Sequence, residues 1–197
     1  MENNKKNIIV WVIVAVVVVA IVVYGLMTGV GTKPAVDQGK VGEKTNQGTV
    51  TEKGIVAAPG TSPISTSTGE VLNTKQEVAK NDVTPGTPEA PQQSNPVSPE
   101  ALPSAAIKLS VSASGYSPNQ FTVKAGAPVT LSVTASDSQT HIFMFDDASL
   151  SAVAVGVAPG ETRAITFNAP TKKGDYTFKC DVPGHAGRGE TGKMVVN

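Results

Sequence analysis

The chain has 197 residues, with 16 basic and 16 acidic side chains, so its formal net charge is zero. That balance provides no basic stripe for a nucleic-acid backbone and no acidic tail. The single cysteine, Cys180, excludes an intrachain disulfide framework, a CxxC zinc ribbon, a dithiol redox pair and any copper centre bridged by two cysteines.

Residues 8–24 read IIVWVIVAVVVVAIVVY without a charge, and Gly25, Leu26 and Met27 extend the run. About 20 such residues, at about 1.5 Å each, match a hydrocarbon core of about 30 Å. Trp11 and Tyr24 stand near the two ends, where interfacial aromatics belong. The run is too long for a signal-peptide core and no A-x-A cleavage site follows. A short polar N-terminus (1–7) and an uncleaved transmembrane helix (8–30) are therefore expected. Lys5 and Lys6 favour an inside N-terminus, a bias weakened by Lys33, Lys40 and Lys44 beyond the span.

Residues 31–104 contain no aromatic residue and nine of the 14 prolines. TSPISTSTG (61–69) is a Ser/Thr tract, and TPGTPEAPQQSNPVSPEALP (84–103) is Pro-dense. Such a composition lacks the apolar surface to offset chain entropy, so 31–104 is expected to be a disordered tether.

From Ala105 the pattern changes. IKLSVSA (107–113) and PVTLSVTA (128–135) alternate apolar and polar residues, the period of a half-buried strand. FTVKAG (121–126), HIFMFD (141–146), TRAITFNAP (162–170), GDYTFKC (174–180) and GKMVVN (192–197) read as further strands, and GYSPNQ (115–120) as a turn. Only SLSAVAVG (149–156) has room for a turn of helix. The spacing predicts an all-β sandwich or barrel of seven or eight strands, roughly ten residues apart, over 105–197, folding independently of the tether.

Both histidines and the cysteine lie in this part of the chain. Cys180 ends one strand, His185 follows in the loop DVPGH, and His141 opens another strand. One thiolate and two imidazoles form a borderline-soft donor set that suits copper, in a trigonal His2Cys site with a weak axial group. Copper bonding would also protect a free thiol outside the cell. That favours a single-pass cell-membrane protein with its C-terminal domain on the extracytoplasmic side.

YTFKCDVPGH (176–185) followed by GKMVVN resembles the cupredoxins, the plastocyanin and amicyanin group in particular. YSPNQFTVKAGAPVTLSV (116–133) is similar to the family's F-x-V-x-A-G-x-x-V-x-L strand pair, and THIFMFD (140–146) to the strand that brings the first histidine. The resemblance covers 105–197 and implies a Greek-key β-sandwich, one copper ion cycling between Cu(I) and Cu(II), and one-electron transfer. It also implies His141, Cys180 and His185 as equatorial ligands. Where the family places an axial Met before the last strand, this chain has Glu190. Met194 lies within the alternating strand and is expected in the core. The axial position is open to Glu190, to a backbone carbonyl near Thr140 or to water.

The leading functional expectation is a membrane-tethered electron carrier with an unidentified redox partner protein and no nucleic-acid partner. A copper chaperone, store or sensor would use the same ligands. An enzyme built on a Cys180–His185 nucleophile–base pair lacks an Asp or Asn placed to orient the histidine, and no spare histidines exist for a second copper, so no enzymatic activity is expected. A spacer domain with a decayed site is the remaining alternative.

Overall fold

A computed structural model describes residues 56–197. The expected N-terminus (1–7), membrane helix (8–30) and first part of the tether (31–55) lie outside the described residues. Among the described residues no helix is long and apolar enough to cross a membrane.

The described residues form nine strands: β1 (Ile107–Ser112), β2 (Gly115–Ser117), β3 (Gln120–Val123), β4 (Pro128–Ala135), β5 (His141–Phe145), β6 (Ala154–Val157), β7 (Thr162–Asn168), β8 (Gly174–Cys180) and β9 (Thr191–Val196). They make a sandwich of a four-stranded sheet, β2-β1-β4-β7, and a five-stranded sheet, β3-β9-β8-β5-β6. The β1–β4 and β3–β9 pairs are parallel and the other pairs antiparallel. Two expectations change at the ends of strands. GYS (115–117) is β2 rather than turn, because it pairs with the end of β1. AVGV (154–157) is β6 rather than helix, because it pairs with β5 and sends Val155 and Val157 into the core. The helical tendency of that stretch survives only as the short 3-10 turn Ala148–Leu150.

Alternation positions the chemistry. In β5, His141, Phe143 and Phe145 share the inward face; in β8, Tyr176, Phe178 and Cys180 do. The rings of Phe143 and Phe178 lie 4.9 Å apart and Tyr116 meets Phe178 edge-on at 5.1 Å. This aromatic core fixes the two strands whose ends carry His141 and Cys180. Gly192 in β9 lies against the core, and a Cβ there would collide with the Phe178 ring and the Asn119 carbonyl. Met194 is fully buried, as the alternation predicts.

The tether expectation needs correction over 56–104. This segment is a strap packed on the outer face of the four-stranded sheet. Val56 accepts from Thr130 Oγ1 at 2.8 Å, and Thr61 Oγ1 lies 2.7 Å from Thr166 Oγ1. Residues 93–97 extend the sheet past β7: Ser94 N donates to Ala164 O and Val97 N to Thr162 O, each at 2.8 Å. Gln93 Oε1 also accepts from Gly156 N of β6, so the strap bridges the two sheets along one open side. Two small clusters, Ala57/Ile64/Val71/Ala79 and Ala58/Leu102/Ala164, supply the apolar contact. Lacking aromatics, the segment builds only the small cluster Ala57/Ile64/Val71/Ala79 of its own, and for the rest borrows a face of the sandwich. Its prolines lower the entropy lost on ordering. This cover is why β4, which alternates in sequence, is buried at nearly every position, including Thr130 and Ser132.

A fragment of residues 105–197 should consequently be less stable than one of 56–197, since it bares Thr130, Ser132, Ala164 and Thr166 and the free edge of β7. We expect a drop of at least about 5 °C in melting temperature, because about 1 kcal/mol moves a domain of this size by about 4–8 °C. Equal melting temperatures for the two fragments would show that the strap contributes nothing.

Candidate metal centre

His141 opens β5, Cys180 ends β8, and the two strands pair with Phe143 opposite Cys180. The loop between β8 and β9 carries the other two groups. It turns at the 3-10 segment Ala186–Arg188, with His185 N donating to Val182 O and Arg188 N to His185 O, each at 3.0 Å. Gly189 ends that turn at φ +101°, a left-handed conformation that favours glycine, and so redirects the chain inward at Glu190. Cys180 N then donates to Glu190 O at 2.9 Å, which ties the loop closed beneath the site.

The four side chains converge. One donor atom each of His141, Cys180, His185 and Glu190 lies within 4.8 Å of the others. Cys180 Sγ is 3.9 Å from His141 Nδ1 and 3.5 Å from His185 Nδ1. Glu190 Oε2 is 2.8 Å from His141 Nδ1 and 3.0 Å from His185 Nδ1. His141 and Glu190 are fully buried, Cys180 nearly so, and His185 is 9% exposed, the one member reaching toward solvent. Of the candidates named from the sequence, all four side chains come together, and Met194 sits in the core instead.

Further groups hold the cage. His141 Nε2 donates to Asp137 Oδ1 at 3.0 Å, which aims the Nδ1 lone pair at the centre of the cage. Asp137 in turn accepts from the backbone N–H groups of Gln139 and Ala113. Arg188 Nη2 donates to Glu190 Oε1 at 2.6 Å and to Gln139 Oε1 at 2.9 Å. Ile142 N donates to Cys180 Sγ at 3.3 Å. Sequence reasoning missed Asp137, Gln139 and Arg188. The proximity of Asp137 to His141 along the chain was the one available signal, and the turn that folds Arg188 back onto Glu190 leaves none.

The electrostatics follow from burial and these partners. Burial pushes the Cys180 thiol up, and the neighbouring Glu190 adds to that, against N–H groups of Ile142 and Val182 that favour the thiolate. Burial also opposes ionisation of Glu190, but the Arg188 guanidinium, then His141 and Cys180, outweigh it and hold the carboxyl below its usual range. Tyr116 is pushed up, by burial first and by Cys180 and Glu190 next. With Nε2 committed to Asp137, a neutral His141 turns a lone pair toward an anionic oxygen 2.8 Å away. Such a face-off needs a proton or a cation between the partners. Two imidazoles, a thiolate and a carboxylate oxygen fit a copper ion in charge, softness and number.

A family model described as a cupredoxin-like domain matches residues 74–196, more than half of the chain. The match begins inside the strap. Chloroplastic plastocyanin of Hordeum vulgare is 40% identical over 91 residues, covering 42% of this chain and 54% of that protein. The plastocyanin of Oryza sativa subsp. indica matches to the same extent, so the chain spans about half the length of the curated relatives it matches. Among solved structures, auracyanin from Roseiflexus castenholzii matches with a TM-score of 0.43 and 24% identity, over 48% of this chain and 98% of that one. Amicyanin from Paracoccus versutus matches with a TM-score of 0.40 and 23% identity, over 52% and 92%.

The Asp137 contact has a pH consequence in the metal-free protein. The hydrogen bond from His141, with those from the Gln139 and Ala113 N–H groups, holds the Asp137 carboxyl at about 2, below the ordinary value of about 3.9. A carboxyl depressed by folding contributes stability that is fully present above its unfolded value and is lost as pH falls toward its folded one. Stability should therefore decline between about pH 4 and 2. Asp137→Ala should be less stable at neutral pH and show a flatter decline in that window, read from urea midpoints at a series of pH values. Parallel profiles for the two proteins would refute the contact.

Proposed function

The chain belongs to the cupredoxin-like domain family, and on that footing we propose that it is a mononuclear copper protein that carries single electrons. The observation that supports this best is the convergence of four buried donors at the ends of β5 and β8 and in the loop before β9. In this reading His141, Cys180 and His185 are the principal ligands and Glu190 supplies the fourth. Copper, when bound, supplies the one-electron couple.

The protein residues do the rest. The paired ends of β5 and β8 hold His141 and Cys180 at nearly fixed separation, so little rearrangement accompanies a change of oxidation state. Asp137 keeps His141 turned toward the metal through Nε2. His185 is the ligand nearest solvent and offers the short route by which an electron would enter or leave. A partner protein meeting that surface completes the transfer. A carrier is the function that a nearly closed cage, with His185 as its one member reaching toward solvent, supports best.

The same proposal extends to location. The apolar run 8–24, outside the described residues, would serve as a single-pass anchor, with the copper domain on the extracytoplasmic face of a cell membrane. Protease added outside intact cells should release the domain; complete protection from it would overturn this placement.

Two substitutions test the site. Cys180→Ser should abolish the intense visible absorption of the copper-loaded protein, because that band needs a thiolate-to-copper charge transfer. An unchanged spectrum would rule out the proposed centre. Glu190→Met should raise the reduction potential, because replacing a hard anionic oxygen by a thioether weakens Cu(II) relative to Cu(I). A tenfold change in that preference is about 59 mV for one electron, and a rise of at least that order is expected. The colour should also move toward blue as the fourth bond weakens. A potential and spectrum equal to the wild type would exclude Glu190 as a ligand.

A further inference from the structure

We propose that Arg188 is the positioning residue that presents Glu190 to the metal through one oxygen only. The inference rests on the reading of Glu190 as the fourth ligand, and concerns how that carboxylate is held.

A carboxylate has two equivalent oxygens and can bind an ion with one or both. Here the two are made unequal. Oε1 is taken by the Arg188 guanidinium at 2.6 Å, and among the described residues no other side chain bonds it. Oε2 alone faces the cage, 2.8 Å from His141 Nδ1 and 3.0 Å from His185 Nδ1. Rotating the carboxylate so that both oxygens reach the ion would strip the guanidinium of its partner and leave a charged pair broken at a fully buried group. Breaking a buried pair in this way is strongly disfavoured. The contact is also not an ordinary surface ion pair, since the Glu190 side chain is 0% exposed, although that of Arg188 is 40% exposed.

Arg188 is itself fixed from a second direction. The same Nη2 that holds Glu190 donates to Gln139 Oε1 at 2.9 Å. Gln139 lies in the loop that delivers His141, and Arg188 lies in the loop that delivers His185 and Glu190. One guanidinium therefore ties together the two chain segments that carry three of the four donors. A lysine would not replace it, because an ammonium on a flexible stem lacks the planar guanidinium whose fixed Nη2 N–H directions order both acceptors. The consequence for the metal is a four-donor cage rather than a five-donor one, which keeps the site small.

The test uses the full chain loaded with Cu(II), comparing wild type, Arg188→Ala, Arg188→Lys, Glu190→Gln and the Arg188→Ala/Glu190→Gln double variant. The readouts are the Cu(II) electron paramagnetic resonance spectrum and Cu(II) affinity by chelator competition. Arg188→Ala should alter the spectrum and weaken Cu(II) binding by about 10–100-fold, the range for partners that orient a ligand. In the Glu190→Gln background the same substitution should change affinity by less than about twofold, because residues that act through one another are not additive. Arg188→Lys keeps the charge and most of the stem, and so carries the test if Arg188→Ala does not fold; it should shift the spectrum in the same direction. If Glu190→Gln changes the spectrum while neither Arg188 variant does, Glu190 is a ligand and the inference about Arg188 is wrong. An equal effect of Arg188→Ala in both backgrounds also overturns it. A wild-type spectrum for Glu190→Gln removes the ligand role of Glu190, and the inference with it.

Discussion

Two imidazole nitrogens, a sulfur and a carboxylate oxygen within 4.8 Å of one another, nearly sealed from water, repel unless something positive shares the space. That frustration is the constraint on which the end of the sandwich depends. It is tolerated because three of the four donors are also held from behind. Asp137 grips the far nitrogen of His141, Arg188 grips the far oxygen of Glu190, and the Ile142 N–H points at the Cys180 sulfur. Burial makes each of these contacts stronger than it would be in water and makes the loss of any one costly. The cage is thus poised for a cation rather than collapsed onto itself.

The scaffold supplies stiffness where the chemistry requires it. His141 and Cys180 are the terminal members of two inward-facing rows whose other members are aromatic. Displacing either donor means moving a strand whose rings interlock with Tyr116, Phe143 and Phe178. The loop before β9 is the only part of the cage not built on a strand. It compensates with a dense set of backbone bonds and with Gly189, whose left-handed turn swings Glu190 inward.

Much of this was legible in the sequence, and the gaps have physical causes. Period-two alternation marks β1 and β4, and the pattern of Cys180, His185 and an upstream His141 marks the centre. Glu190 stood out only because it occupies a position where the resembling family has a thioether. Edges were harder to read. β2 and β6 owe their form to pairing with the strand just before each, β1 and β5, and no local propensity announces that. The strap was misread because composition measures whether a segment can fold alone, and this one leans on another surface through small residues and backbone groups. Arg188 was invisible, and Asp137 nearly so, for a related reason: charged loop residues look solvated until a turn folds them back.

The strap also decides where force would enter the domain. In the strap, the Val56 carbonyl is bound by Thr130 near the start of β4, whereas the cage lies past the other end of that strand. Residues Thr130 to Ala135 separate the two along the strand, about 16 Å at 3.3 Å per residue. A load on the strap at Val56 would therefore act on the sandwich at a distance from the cage. A pull at that point is resisted by the strap's own hydrogen bonds before it reaches β5 or β8.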